Sequence, residues 1–230
     1  MPVSYSFEAT YEVSFLKPFF SVAGKLPLLA KDLYDQFSPR YFIAPPNIRA
    51  LNAMTYGDLL LEISLFGGAG TIRIFGDRYS VAFTGLRTDE DADIFADCIE
   101  LAEAAIKSTE GVPDEDRTTV NVDYKFEIAP DATAVGTSYT NKVTSISKPL
   151  DLTGLPSTRV NRMLLLELIN AEDDWSCIVR SGTSARVETE LLVNFFAIYP
   201  SSSTIKTVAQ KKDHMRLLTN SISDLLGLAD

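Results

Sequence analysis

Tyr5, Phe7, Ala9, Tyr11, Val13 and Phe15 alternate without a break with Ser4, Ser6, Glu8, Thr10, Glu12 and Ser14. A side-chain period of two is that of a β-strand with one face on a core and the other in water. Half-wetted strands of this kind pair antiparallel, because a parallel sheet has to be covered on both faces. The opening of the chain therefore commits it to an antiparallel sheet that something else must cover on one side.

The pattern returns at Val120, Val122, Tyr124, Phe126 and Ile128, alternating with Asn121, Asp123, Lys125 and Glu127. Tyr5-Ser6-Phe7-Glu8 and Tyr124-Lys125-Phe126-Glu127 share a Tyr-x-Phe-Glu string. Leu59-Leu60-Leu61-Glu62-Ile63 follows in the first half and Leu164-Leu165-Leu166-Glu167-Leu168 in the second. Further strands are expected over 71–75 and 79–84, then over 175–180 and 186–199. Each half closes on a helical stripe: Ile94, Phe95, Cys98, Leu101, Ala102, Ala105 and Ile106, capped near Thr88–Asp91, and Met215, Leu218, Ile222, Leu225 and Leu226, starting near Val208. A short helix over 28–37 and an irregular, proline-rich loop at 41–46 are peculiar to the first half. A polar stretch over 131–147 and a loop at 200–203 are peculiar to the second.

The expected fold is α+β: two tandem related units, 1–110 and 111–230, joined near 110–117, with an antiparallel sheet and helices packed on one face. The units stand as two domains or as one continuous domain about a pseudo-twofold axis. In element order this resembles the saddle of TATA-binding-protein-like folds, a likeness of fold that carries no function with it.

At 230 residues the chain buries roughly 70–75% of its unfolded surface, enough for a core without metals or disulfides. The formal charge of −10 is shared by both halves, with 9 basic and 15 acidic residues over 1–110 and 12 and 16 over 111–230. A field of that sign repels nucleic acid and anionic lipid. No basic n-region with an apolar h-region opens the chain, and no apolar run is long enough to span a bilayer. Two cysteines inside apolar patterns, Cys98 and Cys177, exclude a disulfide framework and point to a reducing, cytoplasmic compartment.

Chemistry-bearing patterns are few. His214 is the only histidine and reads as a surface residue of the last helix, so neither a histidine-rich metal site nor any other metal or cofactor is expected. Gly67-Gly68-Ala69-Gly70 lacks the lysine and the helix of a phosphate loop and reads, like Gly76-Asp77, as a hairpin turn. Asp89, Glu90, Asp91 and Asp93 suit a helix cap and not a calcium loop. Glu62 and Glu167 occupy matching positions and are expected to face water, although a cleft between the units would bring them together with Tyr56 and Trp175.

The last strand is apolar on both sides, with Leu191, Val193, Phe195 and Ala197 on one face and Leu192, Phe196 and Ile198 on the other. Either the loop at 41–43 covers the second face, or another subunit or a partner does. The leading expectation is a non-enzymatic binding protein, self-associating or bound to a protein partner, acting through Tyr41, Phe42, Tyr56, Trp175, Phe195 and Phe196. The alternatives are an acidic inhibitor or immunity-type protein of a basic enzyme, and a small-ligand-binding protein or enzyme with a cleft between the units.

Overall fold

The computed structural model describes residues 5–17, 20–51, 57–110, 117–128, 163–183 and 191–226. Among them the strands are β1 (Tyr5–Phe15), β2 (Ile48–Ala50), β3 (Leu59–Leu65), β4 (Gly70–Phe75), β5 (Arg78–Leu86), β6 (Arg117–Ile128), β7 (Met163–Asn170), β8 (Trp175–Thr183) and β9 (Leu191–Pro200). The helices are α1 (Phe20–Phe37), α2 (Asp89–Glu110) and α3 (Val208–Leu226). Every strand pairing is antiparallel, in one sheet of order β2-β3-β4-β5-β1-β6-β9-β8-β7. The polar stretch 131–147 and Tyr56 lie outside the described residues, as do much of the junction and the first residues of the 186–199 strand.

The alternation read from the sequence sets which face is covered. Phe7, Tyr11 and Val13 of β1 stand in register with Phe126, Val122 and Val120 of β6, and all six are buried. The same face continues through Ile63, Ile72 and Val81 on one side and Phe195, Ala197 and Tyr199 on the other. Ring contacts run along it from Phe83 to Phe95, then to Tyr124, Phe126 and Phe195. The helices cover this face. Leu29, Leu33 and Phe37 of α1, Phe95, Cys98 and Ala102 of α2, and Met215 and Ile222 of α3 are buried against it. Burying each large side chain contributes about 1.5–3 kcal/mol.

Both helices that follow a hairpin open on a reciprocal cap. Thr88 Oγ1 accepts the Asp91 N–H at 3.1 Å, while Asp91 Oδ2 accepts the Thr88 and Arg87 N–H groups at 2.9 and 2.7 Å. At α3, Thr207 Oγ1 accepts the Gln210 N–H at 3.1 Å, and Gln210 Oε1 accepts the Lys206 and Thr207 N–H groups, each at 2.9 Å. The first cap matches the expectation; the second carries the same Thr-x-x-acceptor spacing and was legible too.

Two elements differ from the sequence reading. Helix α1 begins at Phe20, not near Leu28, and carries Pro27 inside it. The proline forfeits one backbone hydrogen bond, and the buried Leu29-Leu33-Phe37 stripe offsets that loss. Strand β2 was not foreseen, because three residues are too few to show a period. Between β3 and β4 the chain turns through Phe66, Gly67 and Gly68, all at positive φ, so the glycine cluster is indeed a turn. A Cβ on Gly70 would meet the Phe83 ring at 2.8 Å.

Thr88→Ala and Thr207→Ala are each expected to lower stability by about 1 kcal/mol, and the serine variants by less. Urea denaturation of the four variants checks this.

Candidate functional site

The residues singled out from the sequence do not converge. Tyr41 is half-buried; its hydroxyl donates to Asp97 Oδ2 at 2.7 Å, and its ring meets Phe37 and Phe66. Phe42 is 95% exposed, whereas Ile43 joins the core. This loop is thus fastened to α1, α2 and the β3–β4 turn, and it does not cover β9. Phe195 is a core residue, and its neighbour Phe196 lies half-buried on the opposite face of the sheet. Trp175 packs against His214 with ring centroids 4.4 Å apart. Glu62 accepts a 2.9 Å ion pair from Arg73 on β4, and Glu167 stands exposed on β7 at the other end of the sheet. Those two carboxylates share no cleft.

His214 is not the surface residue expected of it. A 2.8 Å hydrogen bond joins its Nδ1 to the Tyr199 hydroxyl, and burial pushes its pKa below the usual histidine value. Cys98 and Cys177 are buried, and burial raises their thiols to about 12 and about 11, out of the range of reactive cysteines. Among the described residues no group of three His, Cys, Asp or Glu side chains is placed to hold a metal. None of their helices is long and apolar enough to cross a membrane.

Two surfaces stand out. The first is the outer face of the sheet at its β9-β8-β7 end, the face opposite the described helices. Met163, Leu165 and Ile169 of β7 are 68%, 66% and 70% exposed. Their register carries them alongside Ile178 of β8 and Leu192, Phe196 and Ile198 of β9. Exposed Glu167 and Arg180 lie among them. Toward β6 and β1 the same face turns polar, through Asp123, Lys125, Glu8 and Glu12.

The second surface is a cleft of about 630 Å³ on the helix side. Helix α2 supplies Glu100, Glu103 and Lys107, the start of β6 supplies Arg117 and Thr119, the end of β9 supplies Tyr199, and the turn after it supplies Ser201. The approach to α3 and its first turn add Ile205, Lys206, Thr207, Val208 and Lys211. At its base Glu103 Oε1 accepts hydrogen bonds from the Tyr79 hydroxyl at 2.7 Å and the Tyr11 hydroxyl at 3.4 Å, and ion-pairs with Arg117 at 3.1 Å. Burial first, and the Glu103 charge second, hold both tyrosines protonated well above their usual range.

Lys211 is 3% exposed. Its ammonium donates to the Lys206 carbonyl oxygen and lies 5.6 Å from the centre of the Tyr199 ring. Among the described residues no carboxylate ion-pairs with it, and burial pushes its pKa down to about 8. Nothing in the sequence analysis marked this residue. The available signal was its spacing, three residues after Val208 and four before Met215, which places it on the buried stripe of the helix.

Comparison with known proteins adds no function. No protein-family model matches the chain, and no curated protein matches it. Among solved structures, TBP of Methanococcus jannaschii aligns over 96% of this chain and 99% of its own at 10% identity, with a TM-score of 0.33. The di-domain ARO/CYC BexL from the BE-7585A biosynthetic pathway aligns over 96% of each chain at 12% identity, with a TM-score of 0.21.

The buried ammonium has a measurable consequence. Between about 8 and the unfolded value of 10.5 the unfolded chain binds more protons at Lys211 than the folded one, so this group's contribution makes stability rise with pH in that window. Below pH 8 its desolvation penalty is present in full. The raised tyrosines act in the opposite sense from about pH 10 upward. From pH 8 to about 9.5 the wild type is therefore expected to gain on the order of 1–2 kcal/mol relative to Lys211→Met. Urea denaturation across that range reads the difference, and parallel curves would show the ammonium to be hydrated.

Proposed function

We propose that this is a non-enzymatic binding protein that associates with a second copy of itself through the apolar end of its outer sheet face. One observation carries the reading: Met163, Leu165 and Ile169 stand exposed on β7 beside Ile178, Leu192, Phe196 and Ile198, on a face that turns polar toward β6 and β1. Contiguous exposed apolar surface of this kind marks an interaction site. Glu167 and Arg180, opposite in sign, lie within it. Two copies related by a twofold axis can therefore set the arginine of one against the glutamate of the other, and self-complementarity of that kind is what an isologous interface requires.

We further propose that the two halves are related units about a pseudo-twofold axis in the middle of the sheet. In support, each half places its first strand at the centre and its last strand next to it, and the remaining strands follow outward in reverse chain order. The phenylalanines of the two Tyr-x-Phe-Glu strings, Phe7 and Phe126, are cross-strand partners with stacked rings 5.2 Å apart. The matching caps at Thr88 and Thr207 add to this. The partner is taken to be protein and not nucleic acid, on the net charge of −10, and the compartment to be reducing, on the two buried free thiols.

Sedimentation over a concentration series tests the association. The wild type is expected to form dimers that strengthen with salt, because two copies carry like charge. Leu165→Glu, at an exposed position, is expected to leave a monomer of unchanged thermal stability. A wild type that stays monomeric at every concentration overturns the reading. Capture of a basic partner that weakens with salt, in place of self-association, would favour the acidic-inhibitor alternative.

A further inference from the structure

We infer that the cleft between α2, α3 and the ends of β6 and β9 binds a small phosphorylated molecule, held by Lys206 and Lys211 at the start of α3. The lining runs against the charge of the whole molecule. In a chain of net charge −10 the described residues of the lining include four cationic side chains and two carboxylates, Glu100 and Glu103. Of those carboxylates, Glu103 is already engaged by Arg117, Tyr79 and Tyr11. Arg117 and Glu103 offset each other, and the Lys206 and Lys211 ammoniums, whose hydrogen bonds go to backbone carbonyl oxygens, supply positive charge on the α3 wall of the cleft.

Lys211 strengthens the case. An ammonium that is 97% covered is costly to keep charged, and here it keeps its place with one hydrogen bond, to the Lys206 carbonyl oxygen. An ammonium has three protons to donate. The Lys206 ammonium likewise donates to the Ser201 carbonyl oxygen, which holds it at the mouth of the cleft with donors to spare. An anion entering between them gains charge-assisted hydrogen bonds and relieves the desolvation of Lys211. The first turn of α3 forms part of the same wall, so the positive end of a 19-residue helix adds to the field.

Phosphate fits better than a bare inorganic ion alone would require. Ile205, Val208, Val120 and Pro200 provide an apolar wall beside the cations, and a volume of about 630 Å³ lies in the range of sites for small organic ligands. The cleft therefore has a place for an organic body as well as for its charged group. It lies on the opposite side of the sheet from the proposed self-association surface, and the two proposals stand independently.

Calorimetric titration of the full chain at low salt tests this, with inorganic phosphate, pyrophosphate and adenosine monophosphate as probes. At least one probe is expected to bind saturably, at one site per chain. Lys206→Glu, at an exposed position, is expected to weaken it by about tenfold or more. Lys125→Glu, on the outer face of the sheet, and Leu165→Glu are expected to leave it unchanged. Lys211→Met is expected to abolish binding where thermal melting shows it folded; should it fail to fold, Lys206→Glu and Lys206→Ala decide the matter. The absence of binding by all three probes at millimolar concentration, or an equal loss in Lys125→Glu, overturns the assignment.

Discussion

The pairing of β1 with β6 holds the molecule together as one sheet. From Tyr5 opposite Ile128 to Ser14 opposite Thr119 the two strands run in continuous register, and in the order of the sheet they are the junction between strands of the first half and those of the second. A slip of one residue would turn every side chain of one strand to the wrong face, exposing Phe7, Tyr11 and Val13 and burying Glu8 and Glu12. Burial of the alternating apolar row thus does two things together: it makes the central pair and selects the face on which the three described helices lie.

The cleft follows from that geometry. Helices α2 and α3 both cross the covered face, and they are tied to each other by the 2.6 Å ion pair between Lys212 and Asp93. Beyond that tie, toward the end of α2 and the start of α3, the covered face of β6 and β9 is lined by polar groups. Charges placed there are partly out of water, so Glu103 needs its three donors, and its pairing with Arg117 does not by itself imply a stabilising contribution. Lys211 has fewer partners. Polar groups gathered at such a seam, with the burden of desolvation unevenly met, are the reason the cleft is proposed to bind an anion.

The outer face shows the complementary situation. In the middle of the sheet, Glu8, Glu12, Asp123 and Lys125 leave it wet, as the alternation of β1 and β6 requires. At the β7 end the alternation fails, because Leu164, Leu166 and Leu168 face the helix side while Met163, Leu165 and Ile169 face outward. The triple leucine was read as the mark of a strand, and it is one. Its run of apolar residues concealed that half of them would be left in contact with water.

Local pattern was enough to find the longer strands, helices α2 and α3, the cap at Thr88, the glycine turn and the buried state of both cysteines, since each follows from periodicity or from backbone constraints within a few residues. The two-sided character of β9 was legible for the same reason. Lys211 and the α3 cap were legible in principle from helical spacing, and were missed because a lysine or a glutamine on a helix is ordinarily solvated. What no local pattern could supply is proximity. Glu103, Arg117, Tyr79, Tyr11 and Lys211 come from five separate elements, and only the packing of α2 and α3 across the central strands brings them together. Equally, Glu62 and Glu167 match in sequence yet end at opposite ends of the sheet, because the β1–β6 junction sends the outer strands of the two halves in opposite directions. Sequence by itself determined which faces are apolar; the tertiary structure decided which of them meet, since that depends on strand order and register across the whole sheet.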